Sequence, residues 1–151
     1  MAVGDWSFGT SACCARGSVV QSSSVYDDGL QEALRHKWIE SQKRGMDLGS
    51  AAMAEWYYQF WGIYCRNRLL EHVSGAKPYT EFDSGRFGLI SKLLHERDLL
   101  LDRILDRARA GNENLDIIIW AREWGLPMDR VIAILEQLDL NRARMDPNFP
   151  R

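Results

Sequence analysis

The chain's three histidines each have an acid close by. Glu32 and His36 are four residues apart, while Glu71–His72 and His95–Glu96 are adjacent. An imidazole and a carboxylate on one helix face can share a metal, and bundle di-metal sites use Glu-x-x-His for this. That spacing is absent, and adjacent helical residues point about 100° apart. Nucleophilic chemistry fares no better. Cys65 and His72 are seven residues apart, on one side of a helix but beyond hydrogen-bond reach. The sequence holds no Gly-x-Ser-x-Gly elbow and no glycine-rich phosphate loop. It therefore predicts a non-enzymatic protein with no catalytic residues, no metal and no cofactor. Cys13 and Cys14 are adjacent, which is not zinc-finger spacing, and read as incidental thiols. Cys65 reads as a small buried hydrophobe.

A second pattern lies in "WAREWGLPMDRVIAIL", Trp120 to Leu135. Ala121, Gly125 and Val131 take the small, glycine and β-branched positions of a helix-turn-helix, and Trp120, Trp124, Leu126 and Ile134 take its apolar ones. The small residue lets two helices approach, and the glycine turns the chain between them. A DNA-binding regulator would use Arg122 and Arg130, extended by Arg142 and Arg144. The second helix, however, offers Asp129, Ile132, Ala133 and Glu136 around Arg130, a poor match to base edges and phosphates. Formal net charge is −2, with 8 basic and 10 acidic residues in 1–83 and 11 of each in 84–151. No basic block is present to neutralise many phosphates. The pattern predicts a structural helical hairpin, with DNA binding as the alternative.

The densest signal is "EWYYQFWGIYC", Glu55 to Cys65, in which six of eleven residues are aromatic. On a helix these rings cover most of the circumference, with Glu55, Gln59 and Arg66 in a narrow polar stripe. A helix of this kind is surrounded by neighbours. Tryptophan is difficult to bury fully and is enriched at interface hot spots. The reading is a central helix whose surplus rings meet a partner: Trp56, Tyr57, Trp61 and Tyr64 supply the face, and Arg66 and Arg68 supply polar contacts at its end. The partner is another protein or a second copy, making the chain an accessory subunit or a self-associating module. A further alternative is a planar cofactor held between aromatic side chains such as Trp56 and Trp61.

"HKWIESQKRGMDLG", His36 to Gly49, resembles a helix-turn segment of uncharacterised bacterial helical proteins, Trp-x-Glu-Ser-x-Lys-x-Gly-x-Asp-x-Gly. The resemblance implies a bacterial origin, with Trp38, Glu40, Ser41, Lys43, Gly45, Asp47 and Gly49 acting as one unit, and carries no activity. Here Trp38 is expected to anchor the helix, Gly45 to end it and Asp47 to cap the next.

The elements behind these residues read as all-α, an irregular bundle of five or six helices. With 151 residues, 46% hydrophobic and 26% charged, the chain can form a core without disulfides or metal. Residues 1–27, rich in Gly, Ser and Ala, read as a mobile N-terminal tail containing Trp6 and Phe8. Residues 28–140 form one helical domain, and 141–151 a frayed C-terminal tail. A helix capped by Asp27 or Asp28 packs Leu30, Ala33, Leu34 and Trp38, and stops at Gly45. The central helix runs about Ser50 to His72. Phe87, Ile90 and Leu94 share one face and Leu101, Ile104, Leu105 and Ala108 another, with a change of phase near His95–Leu99. Residues 117–119 suit helix or strand; flanking caps favour helix. Pro127 opens the last helix, with Val131, Ile134, Leu135 and Leu138 inward. The sequence has neither a secretory leader pattern nor a span of about 20 apolar residues, so the expected location is cytoplasmic.

Overall fold

The computed structural model describes residues 21–93 and 98–149. Trp6, Phe8, Cys13, Cys14, Leu94 and His95 lie outside them. Within the described residues the chain is all-α, with six helices and no strand.

The first helix, α1 (Val25–Arg44), starts earlier than Asp27 or Asp28 predicted, because Ser24 is its cap. The Ser24 hydroxyl accepts from the Asp27 amide at 3.4 Å and donates to Glu81 at 2.6 Å. The other Glu81 oxygen accepts the Val25 amide at 3.0 Å. A distant carboxylate thus completes the helix start, where orphan amides and the helix dipole favour negative charge. Burial pushes the Glu81 carboxyl up, but its hydrogen bonds from Ser24, Val25 and Thr80 hold it below the usual range. Just upstream, the Ser23 amide donates to the Pro78 carbonyl at 3.0 Å and the Thr80 amide to the Ser23 carbonyl at 2.9 Å. Residues 23–27, read as tail, are therefore docked, and Val25 is core.

Gly45 ends α1 in the left-handed region, φ 65°, as predicted. A four-residue turn leads into α2 (Gly49–Ser74), and so short a link makes the helices an antiparallel hairpin. Ser41 Oγ accepts the Leu48 amide at 3.1 Å, and Asp47 accepts the Gly49 amide at 2.9 Å. Trp38 does not anchor this turn: it is 64% exposed, and Leu30 and Leu34 also face outward. The packed stripe of α1 is Val25, Gly29 and Ala33, four residues apart. These small residues win because the facing surface of α2 carries large rings.

α2 is the central element. Against it pack α1, α3 (Leu89–Leu93), α4 (Leu99–Arg109) and a 3-10 turn at Leu140–Ala143. The expected phase change falls between α3 and α4. α5 (Asn114–Glu123) and α6 (Met128–Leu138) pack on each other and on α4, so residues 117–119 are helical. The start of α5 is capped by Glu113, rather than Asn112 or Asn114, and Asp116 accepts the Glu113 amide at 2.9 Å.

The loop between α2 and α3 buries Tyr79 and Phe82 and is clamped by His72. The Tyr79 amide donates to His72 Nδ1 at 3.0 Å. The ring proton must then sit on Nε2, which donates to the Asp83 carbonyl at 2.8 Å. These two loop contacts place His72 in the core. The segment up to Phe149 is packed too, not frayed: Ala143 is buried and Phe149 stacks on Tyr57 with centroids 4.9 Å apart.

One contact reports on the α1–α2 seam. A Cβ added to Gly29 would lie 2.6 Å from Trp61 Cζ3. Helix propensity alone favours alanine over glycine by about 1 kcal/mol. Gly29→Ala is nevertheless expected to destabilise the protein by about 1–3 kcal/mol through overpacking, read as a lower urea midpoint with an unchanged m-value.

Candidate functional site

The residues assigned to a partner face on α2 lie mostly inside the protein. Trp56 is 7% exposed and Trp61 4%, and Tyr57 is also buried. Trp56 meets Trp61 edge-on at 6.3 Å and Tyr64 at 5.3 Å, so the rings fill the space between one another. Polar edges are satisfied internally: Trp61 Nε1 donates to the Met145 carbonyl at 2.7 Å. These rings are core because α1 and the C-terminal segment close over them. Tyr64 is half-buried.

Arg66 and Arg68 also turn inward. Arg66, 6% exposed, donates to the Asn112 carbonyl at 3.1 Å and pairs with Glu113. Arg68 pairs with Glu71 at 3.1 Å, donates to the Tyr79 hydroxyl at 3.3 Å and lies over the Tyr64 ring. Both guanidiniums fasten loops to α2. Burial pushes the Cys65 thiol up to about 12, so it is protonated at neutral pH and behaves as the hydrophobe expected.

The predicted hairpin of α5 and α6 is present. Ala121 and Val131 are fully buried, Gly125 has φ 64°, and the Leu126 amide donates to the Ala121 carbonyl at 2.9 Å. Of the four arginines considered for DNA, three face carboxylates. Arg130 pairs with Asp98, Arg142 with Asp139 at 2.6 Å, and Arg144 with Glu113 at 3.1 Å. Arg122 is exposed. The outward side of α6 carries Asp129 and Glu136, so this surface has little positive charge left for phosphates.

Besides Trp38 on α1, another indole is exposed. Trp124, just past the end of α5, is 72% exposed and shares a face with half-buried Trp120. Both line a groove of about 920 Å³ between α4 and the α5–α6 turn. Arg107 of α4 lies over Trp120, its guanidinium carbon 4.1 Å from the ring centroid. Leu99, 77% exposed, stands at the head of α4, where Asp98 accepts the Leu100 amide at 3.0 Å. Asp98 is occupied by Arg130, and Asp106 pairs with Arg109 at 3.4 Å. Arg103 and Arg107 line the same groove, and neither has a carboxylate partner among the described residues. The groove therefore combines indole, leucine and two guanidiniums that meet no carboxylate among the described residues.

Sequence reasoning identified Trp120 and Trp124 as hairpin residues but missed Leu99, Arg103 and Arg107. A signal was there in Leu99–Leu100–Leu101: three consecutive leucines on a helix span about 200°, too wide an arc for one packed face. No known protein family, curated protein or solved structure matches the chain.

Glu113 links two parts of this region, holding buried Arg66 and exposed Arg144 at the start of α5. Burial pushes its carboxyl up, but the two guanidiniums outweigh that and hold it below the usual glutamate range. Its stabilising contribution is then complete above the ordinary glutamate value of about 4.3 and lost as pH falls through the lower folded value. Glu113→Gln is expected to lower Tm near neutral pH and to flatten its fall on acidification, measured by calorimetry across that window.

Proposed function

We propose that the chain is a non-enzymatic protein-interaction module. It docks an acidic, apolar segment of a partner in the groove between α4 and the α5–α6 hairpin. The observation that carries this reading is the gathering of Trp124, Trp120 and Leu99 with Arg103 and Arg107, whose charges have no carboxylate partner among the described residues. Tryptophan and arginine dominate interface hot spots. A stacked guanidinium such as Arg107 is pre-oriented, so less side-chain freedom is lost when it receives a carboxylate. Apolar side chains of the partner would cover the Trp124 indole and Leu99, while its acids meet the arginines.

The aromatic run of α2 contributes indirectly, by making the body on which α4 is held. The polar residues once assigned to the same face, Arg66 and Arg68, serve that body as well.

The test is a displayed peptide library selected on the intact protein. Enriched peptides are expected to combine Asp or Glu with Leu, Phe or Trp. Their affinity should fall at least about tenfold, some 1.4 kcal/mol, for Trp124→Ala and for Arg103→Glu. Enriched peptides that bind both variants as well as the parent protein would overturn the reading, as would a selection that yields no such peptides.

A further inference from the structure

The outer side of α6 is the chemical counterpart of this groove. Asp129, Ala133 and Glu136 are exposed, and Ile132 is 43% exposed among them. Asp129 and Glu136 are two helical turns apart, about 10.5 Å along the axis, with Ile132 and Ala133 between them. The stripe is acidic at both ends and apolar in the middle. The groove offers the inverse: Leu99 and Trp124 beside the guanidiniums of Arg103 and Arg107. The two surfaces lie on different sides of α6. Arg130 lines the groove, while the centre of the stripe lies about 100° further around the helix by its residue angles. One copy cannot close its own stripe into its own groove, but a second copy can.

We infer that the groove's occupant is the α6 stripe of a second copy of this chain, giving head-to-tail association. This rests on the docking reading above and names the partner for it. Ile132 of one copy enters beside Trp124 and Leu99 of the next, and Asp129 and Glu136 receive Arg103 and Arg107. Because the two halves of the contact are different surfaces, the arrangement is heterologous. Repeated from copy to copy, it builds a ring or an open chain. The contact is small, so association is weak and salt-sensitive.

Sedimentation of the full chain tests it, from about 10 μM to about 1 mM, a range suited to small interfaces. The weight-average mass is expected to rise above the 17.4 kDa monomer. A groove variant, Trp124→Ala with Arg103→Glu, and a stripe variant, Ile132→Ser with Glu136→Lys, should each remain monomeric. All four positions are exposed, and circular dichroism with urea midpoints verifies that both variants fold. Mixed in equal amounts, the variants should form a dimer and stop, because one still offers a stripe and the other a groove. A parent protein monomeric throughout the range overturns the inference. So does undiminished association of either variant alone, or a mixture that stays monomeric. A monomeric parent that still binds acidic peptides in the groove defeats this inference while leaving the docking function intact.

Discussion

The fold depends on one constraint: α2 carries buried side chains on several of its sides and needs several neighbours to cover them, although Tyr58, Phe60 and Ile63 stay exposed. Its 26 residues make a rod of about 39 Å. Trp56, Tyr57, Trp61, Cys65, Leu69, Leu70 and Val73 are all buried along it. No single neighbour can cover residues distributed in this way. α1 lies along one side, and α3, α4 and the Leu140–Ala143 turn occupy others. The rings also place the chain's end. The Trp61 indole reaches the Met145 carbonyl, the Tyr26 hydroxyl donates to the Asp146 carbonyl at 3.2 Å, and Phe149 stacks on Tyr57. A buried indole N–H needs a partner, and in this fold the C-terminal segment supplies it.

Polar side chains then fasten the pieces gathered around that rod. His72 holds the loop after α2 at two backbone points, Arg68 and Glu71 hold Tyr79, and Glu81 completes the start of α1. Arg66 is the most costly of these devices, since a buried cation is tolerated where both charge and hydrogen bonds are answered. The Asn112 carbonyl and Glu113 answer its two terminal nitrogens, and its buried Nε meets no partner among the described residues; both partners belong to the entry into α5. The burial of α2 and the placement of the α5–α6 hairpin are thus joined through one guanidinium.

The helices were legible because their signals are local: Gly45 at the end of α1, Gly125 in the hairpin, and the apolar spacing of Val131, Leu135 and Leu138. Which face packs was harder to read. On α1, Val25–Gly29–Ala33 and Leu30–Leu34–Trp38 have the same four-residue period, so periodicity cannot choose between them. Size chose, and in the unexpected direction, because the rings of α2 require small residues opposite. The ends of the domain were hidden for a related reason. Ser23 is held by Pro78 and Thr80, and Ser24 and buried Val25 by Glu81, all more than 50 residues away in sequence. The same limit governed the site. Ring density located the core in the middle of α2, where neighbours arrive from several sides. Trp124 is exposed at the end of a short helix, on the groove it shares with α4.

The size of that exposed indole sets what the groove can do. A tryptophan presents roughly 200 Å² or more, and most of this one is open to solvent. At about 25 cal/mol per Å², covering it gains about 4 kcal/mol before any cost of association. Lost translational and rotational freedom costs about as much or more. The indole alone therefore cannot hold a partner, and Leu99 and the two arginines must decide the outcome. An apolar segment without acids would leave Arg103 and Arg107 partly desolvated and unanswered, a penalty that cancels its gain. Acids without apolar side chains would meet those arginines in open water, where an ion pair contributes about 0–1 kcal/mol. Affinity requires both in one segment, spaced to fit Trp124 and the arginines together, so the groove selects on a pattern that neither of its halves could recognise separately.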